Sequence, residues 1–370
     1  MKLLHVKSDN FKNCSDNFEI NLVAISRKSD EDKEYELIEV TDGLFVFNTL
    51  AFVGKNASGK TSATDLLDVA YSLLGDFRLN KTYAFNDVHL LIDFYHEGYI
   101  YRYKVTINDG NSINGNAILS NQIIKRKKYY KSKIKEIFLD DDFKNVEITG
   151  VLPEDTSTLF FVLKKNETRA IYFDSFEKGV DTYRMAFLAI NEYKINSVIL
   201  ERIIQMFDEN IKSLKMLDDH NYEITYLNKR EYLSDKQLIY KLSSGTTKGI
   251  LLYILMSCSL INGFDLVIDE IENHFHKTLV ENMICLYKDK TINKKGASLI
   301  FTTHYLELID LFNRQDNIYI TRADDKVSIF NMYEDFDVRF ELLKSKQFYN
   351  NVFKTAVDYD ALMNLKRELK

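Results

Sequence analysis

Tryptophan is absent from this 370-residue chain, proline occurs once and cysteine three times. With so little proline and no Pro/Gly/Ser-rich stretch, no linker separates independently folding domains, and lobes of one body are expected. Cys14, Cys258 and Cys285 are odd in number, far apart and without a C-x-x-C pair. That excludes a disulfide framework and a paired-cysteine zinc site, and fits a reducing cytosol. No secretory signal opens the chain, because Met1 to Asn10 turns polar at once. The most apolar long run, Gly249 to Ile261, is too short to span a bilayer comfortably and reads as a buried helix. No fixed-period repeat or sustained heptad pattern is present. A net charge of -6 excludes a chain that is basic all over. At 45% hydrophobic and 28% charged, the composition is globular and excludes wholesale disorder. The length suffices for a sizeable core, as one large domain or two ordinary ones.

What is there is organised around Phe52 to Thr61. Gly54, Lys55, Asn56, Ala57, Ser58, Gly59, Lys60 and Thr61 complete G-x-x-x-x-G-K-[ST]. Leu44 to Val53 ahead of it is an apolar run suited to a buried strand. Behind it, Leu66, Leu67, Ala70, Leu73 and Leu74 fall on one face of a helix. Strand, glycine loop and helix form the setting in which turning backbone amides bind polyphosphate without bulky side chains intervening. In this loop, which extends into Ser62, Lys60 is expected to reach the β- and γ-phosphates of a nucleoside triphosphate. Thr61 is expected to place its hydroxyl on Mg²⁺.

Further along, Gly263 to Glu270 is an apolar strand ending in two carboxylates. In a chain with a phosphate loop, Asp269 can hold Mg²⁺ while Glu270 orients and deprotonates the attacking water. Strands are expected over 3–6, 18–25 and 34–40, with a polar turn over 29–33, and a hairpin over 88–95 and 99–107. A further strand near 117–124 completes an antiparallel meander. Residues 175–217 read as mostly helical, 222–227 as a strand, 276–288 as a helix and 297–302 as a strand. A basic run with interleaved tyrosines, Lys125 to Lys135, suits either a solvated loop or strand end or a nucleic-acid contact.

Lys241 to Lys248 resembles the signature loop of ABC-type ATPases, with Leu242, Ser243, Ser244 and Gly245 at the L-S-x-G positions. In that family the loop opens a helix and closes on the γ-phosphate held by a second protomer. His304, ending the apolar strand from Ser298, stands where the family carries its switch histidine. Ile271 to His276 stands at the D-loop. His274 and His276 there lack an evident third ligand, so a dimer-contact loop is favoured over a metal site. Asn10, Phe11 and Lys12 resemble the N-F-[KR] opening of SMC-class and RecF-like ATPase heads, which implies that Lys12 approaches the nucleotide. Lys12 equally suits a surface position. Gln122 takes the Q-loop place and, by the resemblance, a metal contact.

The resemblance covers nearly the whole chain. It is strongest to stand-alone ATPases related to overcoming-lysogenisation-defect proteins of bacterial anti-phage systems, through Asp269 to His276 and Leu242 to Thr246. It implies an α/β P-loop ABC-type ATPase head with a mixed central sheet, an antiparallel β-meander and a helical signature lobe. Residues 1–370 then form a single bilobal domain: lobe I over about 1–150 plus 250–335, the signature lobe over about 151–249, and a helical tail over about 336–370. It further implies an ATP-dependent homodimer, open to higher assemblies, that hydrolyses ATP with Mg²⁺ and controls a separate effector, a nuclease or toxin. No long coiled coil interrupts the chain, which argues against tethering of DNA. The stretch after the core is too short for the toprim nuclease of full-length relatives. A cytoplasmic location without a membrane partner is expected. Two other readings stay open: a nucleotide-gated scaffold with negligible turnover, and a DNA-repair or recombination ATPase with nucleic acid as partner. A transporter ATPase fits least, because the stretch between phosphate loop and signature is too long.

Overall fold

A computed structural model describes residues 1–370 except 80–82, 111–115, 166–167, 175–181, 194, 219, 242–243, 274–275, 339–341, 356–358 and 370. The chain forms two compact units, Met1–Arg169 with Phe301–Lys370 and Ala170–Ile300.

The first unit opens with strands β1 (Lys2–Asp9) and β2 (Phe18–Asn21), helix α1 (Asp30–Tyr35), and strands β3 (Leu37–Thr41), β4 (Leu44–Phe47) and β5 (Thr49–Val53). Helix α2 (Lys60–Gly75) and strands β6 (Val88–His96), β7 (Tyr99–Asn108), β8 (Ile118–Lys128) and β9 (Lys144–Asn145) follow. An antiparallel sheet runs β2-β1-β6-β7-β8-β9, with β6 and β7 in register from Val88 opposite Ile107 to His96 opposite Tyr99. This is the expected meander, extended by an N-terminal strand pair. β8 runs further than expected, so Lys125 to Lys128 of the basic run are strand residues. The polar turn expected over 29–33 is instead the start of α1. Ser29 accepts from the Asp32 amide and Asp32 accepts from the Ser29 amide, a reciprocal cap that starts a helix from an otherwise turn-like sequence.

The second unit contains β10 (Ala170–Asp174), α3 (Thr182–Tyr193), α4 (Ser197–Phe207), β11 (Ile211–Met216), β12 (Asn221–Tyr226) and β13 (Lys229–Ser234). It continues with α5 (Asp235–Lys241), α6 (Ser244–Asn262), β14 (Asp265–Asp269) and α7 (Lys277–Lys288). β10 and β14 pair in parallel, and β11, β12 and β13 form an antiparallel sheet. That sheet revises the helical reading of 175–217: Ile211 and Leu214 are buried on a strand that pairs with β12. α6 packs against α3, α4 and β14, which groups residues 250–300 with 170–249 and not with the lobe expected to hold them. Its near-continuous burial from Ile250 to Met256 explains the apolar run.

β15 (Leu299–Thr303) straddles the boundary, and the first unit resumes with β16 (Ile318–Ala323), β17 (Val327–Asn331), α8 (Lys344–Tyr349) and α9 (Tyr359–Glu368). β15, β5, β16 and β17 lie side by side in that order; β16 is parallel to β5 and antiparallel to β17, so the central sheet is mixed. Every residue of β5 and β15 is buried, as continuous apolar runs require. α2 buries Ala63, Leu66, Leu67, Ala70, Leu73 and Leu74, each leucine contributing about 1.5–3 kcal/mol. Fold class therefore follows the expectation: α/β, with a mixed central sheet and an antiparallel one. Among the described residues no helix is long and apolar enough to cross a membrane.

Candidate nucleotide-binding site

The glycine loop joins β5 to α2. Ala57 (φ 58°) and Gly59 (φ 94°) both take the left-handed conformation, which turns successive amides inward in the manner of an anion-binding nest. A Cβ on Gly59 would lie 2.1 Å from a Val327 methyl, and one on Gly54 would lie 2.4 Å from Ser58 Oγ and 2.6 Å from the Thr321 carbonyl oxygen. Both positions thus demand glycine, one for conformation and space, the other for space alone. Ser58 Oγ is 2.7 Å from Thr321 Oγ1, which fixes the loop to β16. No side chain caps α2 at Gly59, so the helix presents its N-terminus to the loop.

Lys60 is 5% exposed. Its ammonium donates to the carbonyl oxygens of Gly54 and Lys55, 3.2 Å each, and lies 3.4 Å from His304 Nδ1. β15 delivers His304 to that point, so the two residues expected at the terminal phosphates do meet. A cleft of about 470 Å³ opens there, lined by Gly54, Lys55, Asn56, His304, Leu306, Phe348 and Thr355. Glycines that admit no Cβ, turning amides, an open helix N-terminus and a lysine on loop carbonyls are together what a polyphosphate chain needs.

The second unit carries the acidic strand end. Asp269 terminates β14 and is 3% exposed. Glu270 follows at φ 51°, a strained setting for a side chain of its size and of the kind held at functional positions. Asn273 secures it twice: its side-chain amide donates to Glu270 Oε2 at 2.7 Å and its backbone amide to the Glu270 carbonyl at 3.0 Å. Among the described residues no group of three or more His, Cys, Asp or Glu could hold a metal by itself. Thr61 lies in the first turn of α2 in the first unit, and Asp269 ends β14 in the second.

Leu242 and Ser243 lie outside the described residues. Ser244 and Gly245 fall in the first turn of α6. His274 is also outside the description, whereas His276 caps α7, its ring accepting from the Thr278 amide at 3.4 Å. Lys12 pairs with Asp65 of α2, and its ammonium lies 4.8 Å from the ring centre of Tyr83, whose hydroxyl donates to Asp65 and Asp68. Gln122 departs from the expected metal contact. Its amide oxygen accepts from Tyr103 Oη and the Thr158 amide, both 2.7 Å, and its nitrogen donates to the Leu119 and Thr156 carbonyls, both 3.2 Å. Two bonds at each end saturate this amide inside the first unit. In the basic run, Lys127 donates to the Glu136 and Leu139 carbonyls, Lys131 pairs with Asp42 and Lys133 with Asp142.

Thr321, Val327, Phe348 and Asn273 escaped the sequence reading. Asn273 alone had a local signal, three residues from Glu270 and within reach of it.

Fold and loop define a P-loop protein of the ATPase type. Residues 50–310 match the family model described as "AAA domain, putative AbiEii toxin, Type IV TA system", and the chain belongs to that family. No curated protein gives a significant match. Among solved structures, the SMC head domain from Thermotoga maritima is 14% identical with a TM-score of 0.43, covering 90% of this chain and 99% of that one. An SmcHead bound to the C-winged helix domain of ScpA is 13% identical with a TM-score of 0.46, covering 90% of this chain and 98% of that one.

Proposed function

We propose that this chain binds and hydrolyses ATP with Mg²⁺, dimerises around the nucleotide, and uses that cycle to control a separate nuclease or toxin in bacterial antiviral defence. The observation that carries the reading is the complete glycine loop with Lys60 and His304 brought to 3.4 Å of each other. Amides of residues 54–62 would cradle the phosphates while Lys60 supplies the fixed positive charge. His304 is suited to hydrogen-bond the terminal phosphate or attacking water. Glu270, held by Asn273, is the base for that water. Thr61 and Asp269 would hold Mg²⁺, which when bound neutralises phosphate charge. Ser243, Ser244 and Gly245 would complete the site of the opposite protomer at the N-terminus of α6. The toxin–antitoxin wording of the family description and the likeness to anti-phage ATPases support the defence role, and the effector is a proposal with it.

The test is Mg-ATP turnover by the purified chain, compared with Glu270→Gln. Removing the base while keeping the shape should cost about 10²–10⁴ in rate and leave ATP binding intact. Wild-type turnover in Glu270→Gln would move the base elsewhere. ATP binding without turnover in the wild type would favour a nucleotide-gated scaffold.

A further inference from the structure

The wall of the phosphate cleft includes two residues far along the chain from the loop, Phe348 and Thr355. We infer that the C-terminal segment from Lys344 to Thr355 is a working part of the nucleotide site, and that Phe348 is a positioning residue for His304. This inference rests on the ATPase reading above.

The physical connection runs through the turn Leu306–Leu311, which begins two residues after His304. α8 packs on that turn and is tied to it at three places. Ser345 donates through its amide (3.0 Å) and its hydroxyl to the two carboxylate oxygens of Asp310. Lys344 Nζ donates to the Phe312 carbonyl at 2.6 Å, and Tyr349 Oη to Glu307 Oε1 at 2.9 Å. Lys344 and Ser345 are buried polar residues, so these bonds hold register as well as contact. Phe348 lies between them, 4% exposed, its ring centre 4.3 Å from that of Phe353. It lines the same cleft as Leu306 and His304. A histidine that must meet a terminal phosphate gains from a wall that stops its ring from turning away.

Three measurements test this: ATPase kinetics, a double-mutant cycle with His304→Ala, and the imidazole resonance of His304, identified by its loss in His304→Ala. Because removing a buried ring can unfold a chain, Phe348→Leu and Ser345→Ala accompany Phe348→Ala, and all are compared where they remain folded. Phe348→Ala should lower kcat by roughly tenfold or more with KM changed less, since a misplacement of about an ångström costs up to about 10²-fold. Phe348→Leu should recover most of that loss. The double variant should be no slower than His304→Ala alone, because both changes remove the same contribution. The His304 resonance should move in Phe348→Ala. Additive losses, or an unmoved resonance with unchanged kcat, would overturn the inference and leave the ATPase reading intact. Absence of Lys60-dependent turnover in the wild type sinks the ATPase reading and the catalytic part of this inference with it. A resonance that still moved would then preserve the positioning link between Phe348 and His304 alone.

Discussion

Among the buried cations of the first unit, Arg102 at 4% exposure and Lys60 at 5% are held in different ways. Arg102 makes short, charge-assisted bonds to both oxygens of Asp93 (2.7 and 2.8 Å), to Asp140 (2.6 Å) and to the Phe138 carbonyl (2.8 Å). Its planar fork is matched to a carboxylate in a geometry that nothing small could improve. Lys60 donates at 3.2 Å to the Gly54 and Lys55 carbonyls, contacts longer than those of Arg102. Burial of charge therefore marks a site only when the quality of its bonds is considered. Arg102 is tied to carboxylates, whereas Lys60 is the cation proposed above for phosphate.

The comparison can be broken most directly by truncating both. Arg102→Ala should cost about 3–5 kcal/mol of stability, because it takes from buried Asp93 both guanidinium bonds and leaves it His5 alone of these partners. Wherever that variant stays folded, its ATP affinity should be unchanged. Lys60→Ala should do the reverse, losing about 2–5 kcal/mol of Mg-ATP binding by calorimetry while its urea midpoint stays close to the wild type. Undiminished affinity in Lys60→Ala would erase the distinction.

Next in size is a test of whether the Lys60 site is completed by another protomer. Ser243→Arg places bulk and charge at the proposed contact, so it should block turnover and leave nucleotide binding by the monomer intact. Mixing it with Lys60→Ala, each inactive alone, should restore up to about a quarter of wild-type turnover, because half the dimers are mixed and each has one intact site. A helix cap without that role predicts a stability loss of about 0.5–2 kcal/mol and no selective effect on activity. Turnover by Ser243→Arg alone rejects the trans assignment.

A smaller effect sharpens the Arg102 side. His5 Nδ1 lies 3.0 Å from Asp93, and its Nε2 makes an ion-pair contact with Glu19 at 3.0 Å. Burial opposes the imidazolium, yet the carboxylates of Asp93 and Glu19 outweigh it and raise the His5 pKa above its ordinary 6.5. The stabilisation is therefore complete below about pH 6.5 and is lost as pH rises through the folded-state value. The urea midpoint should fall over that window, and His5→Phe should flatten the fall. A midpoint independent of pH there in the wild type would remove His5 from the charge cluster.

The smallest expected effect is at the basic run. Changing Lys125, Arg126, Lys127 and Lys128 to Gln should leave DNA binding and its salt dependence nearly unaltered, because Lys127 is already committed to carbonyls and Arg126 lies 4.8 Å above the Tyr99 ring. Salt-sensitive binding that vanished in the variant would make that surface a nucleic-acid site.

The glycine loop, the helix behind it and the acidic strand end were legible in the chain because their physics is local. Amides, φ angles and one helical face are all specified within about twenty residues, and apolar runs announce buried strands wherever those strands go. Ile211 to Met216 shows no two-residue alternation, because a register shift between Ile211 and Ser213 separates its buried Ile211 and Leu214 by three positions, so the strand was not legible. Tertiary structure alone decided what the loop touches. Ser58 meets Thr321 across 263 positions and Gly59 meets Val327, because β16 is the neighbour of β5 and β17 lies next beyond it. It turned Gln122 inward to four bonds, gave Lys12 to Asp65, and set Phe348 beside the cleft of His304. Sequence pattern fixes which face of an element is apolar, but the identity of the partner that covers it is settled only when the sheet closes and distant segments compete for the same space.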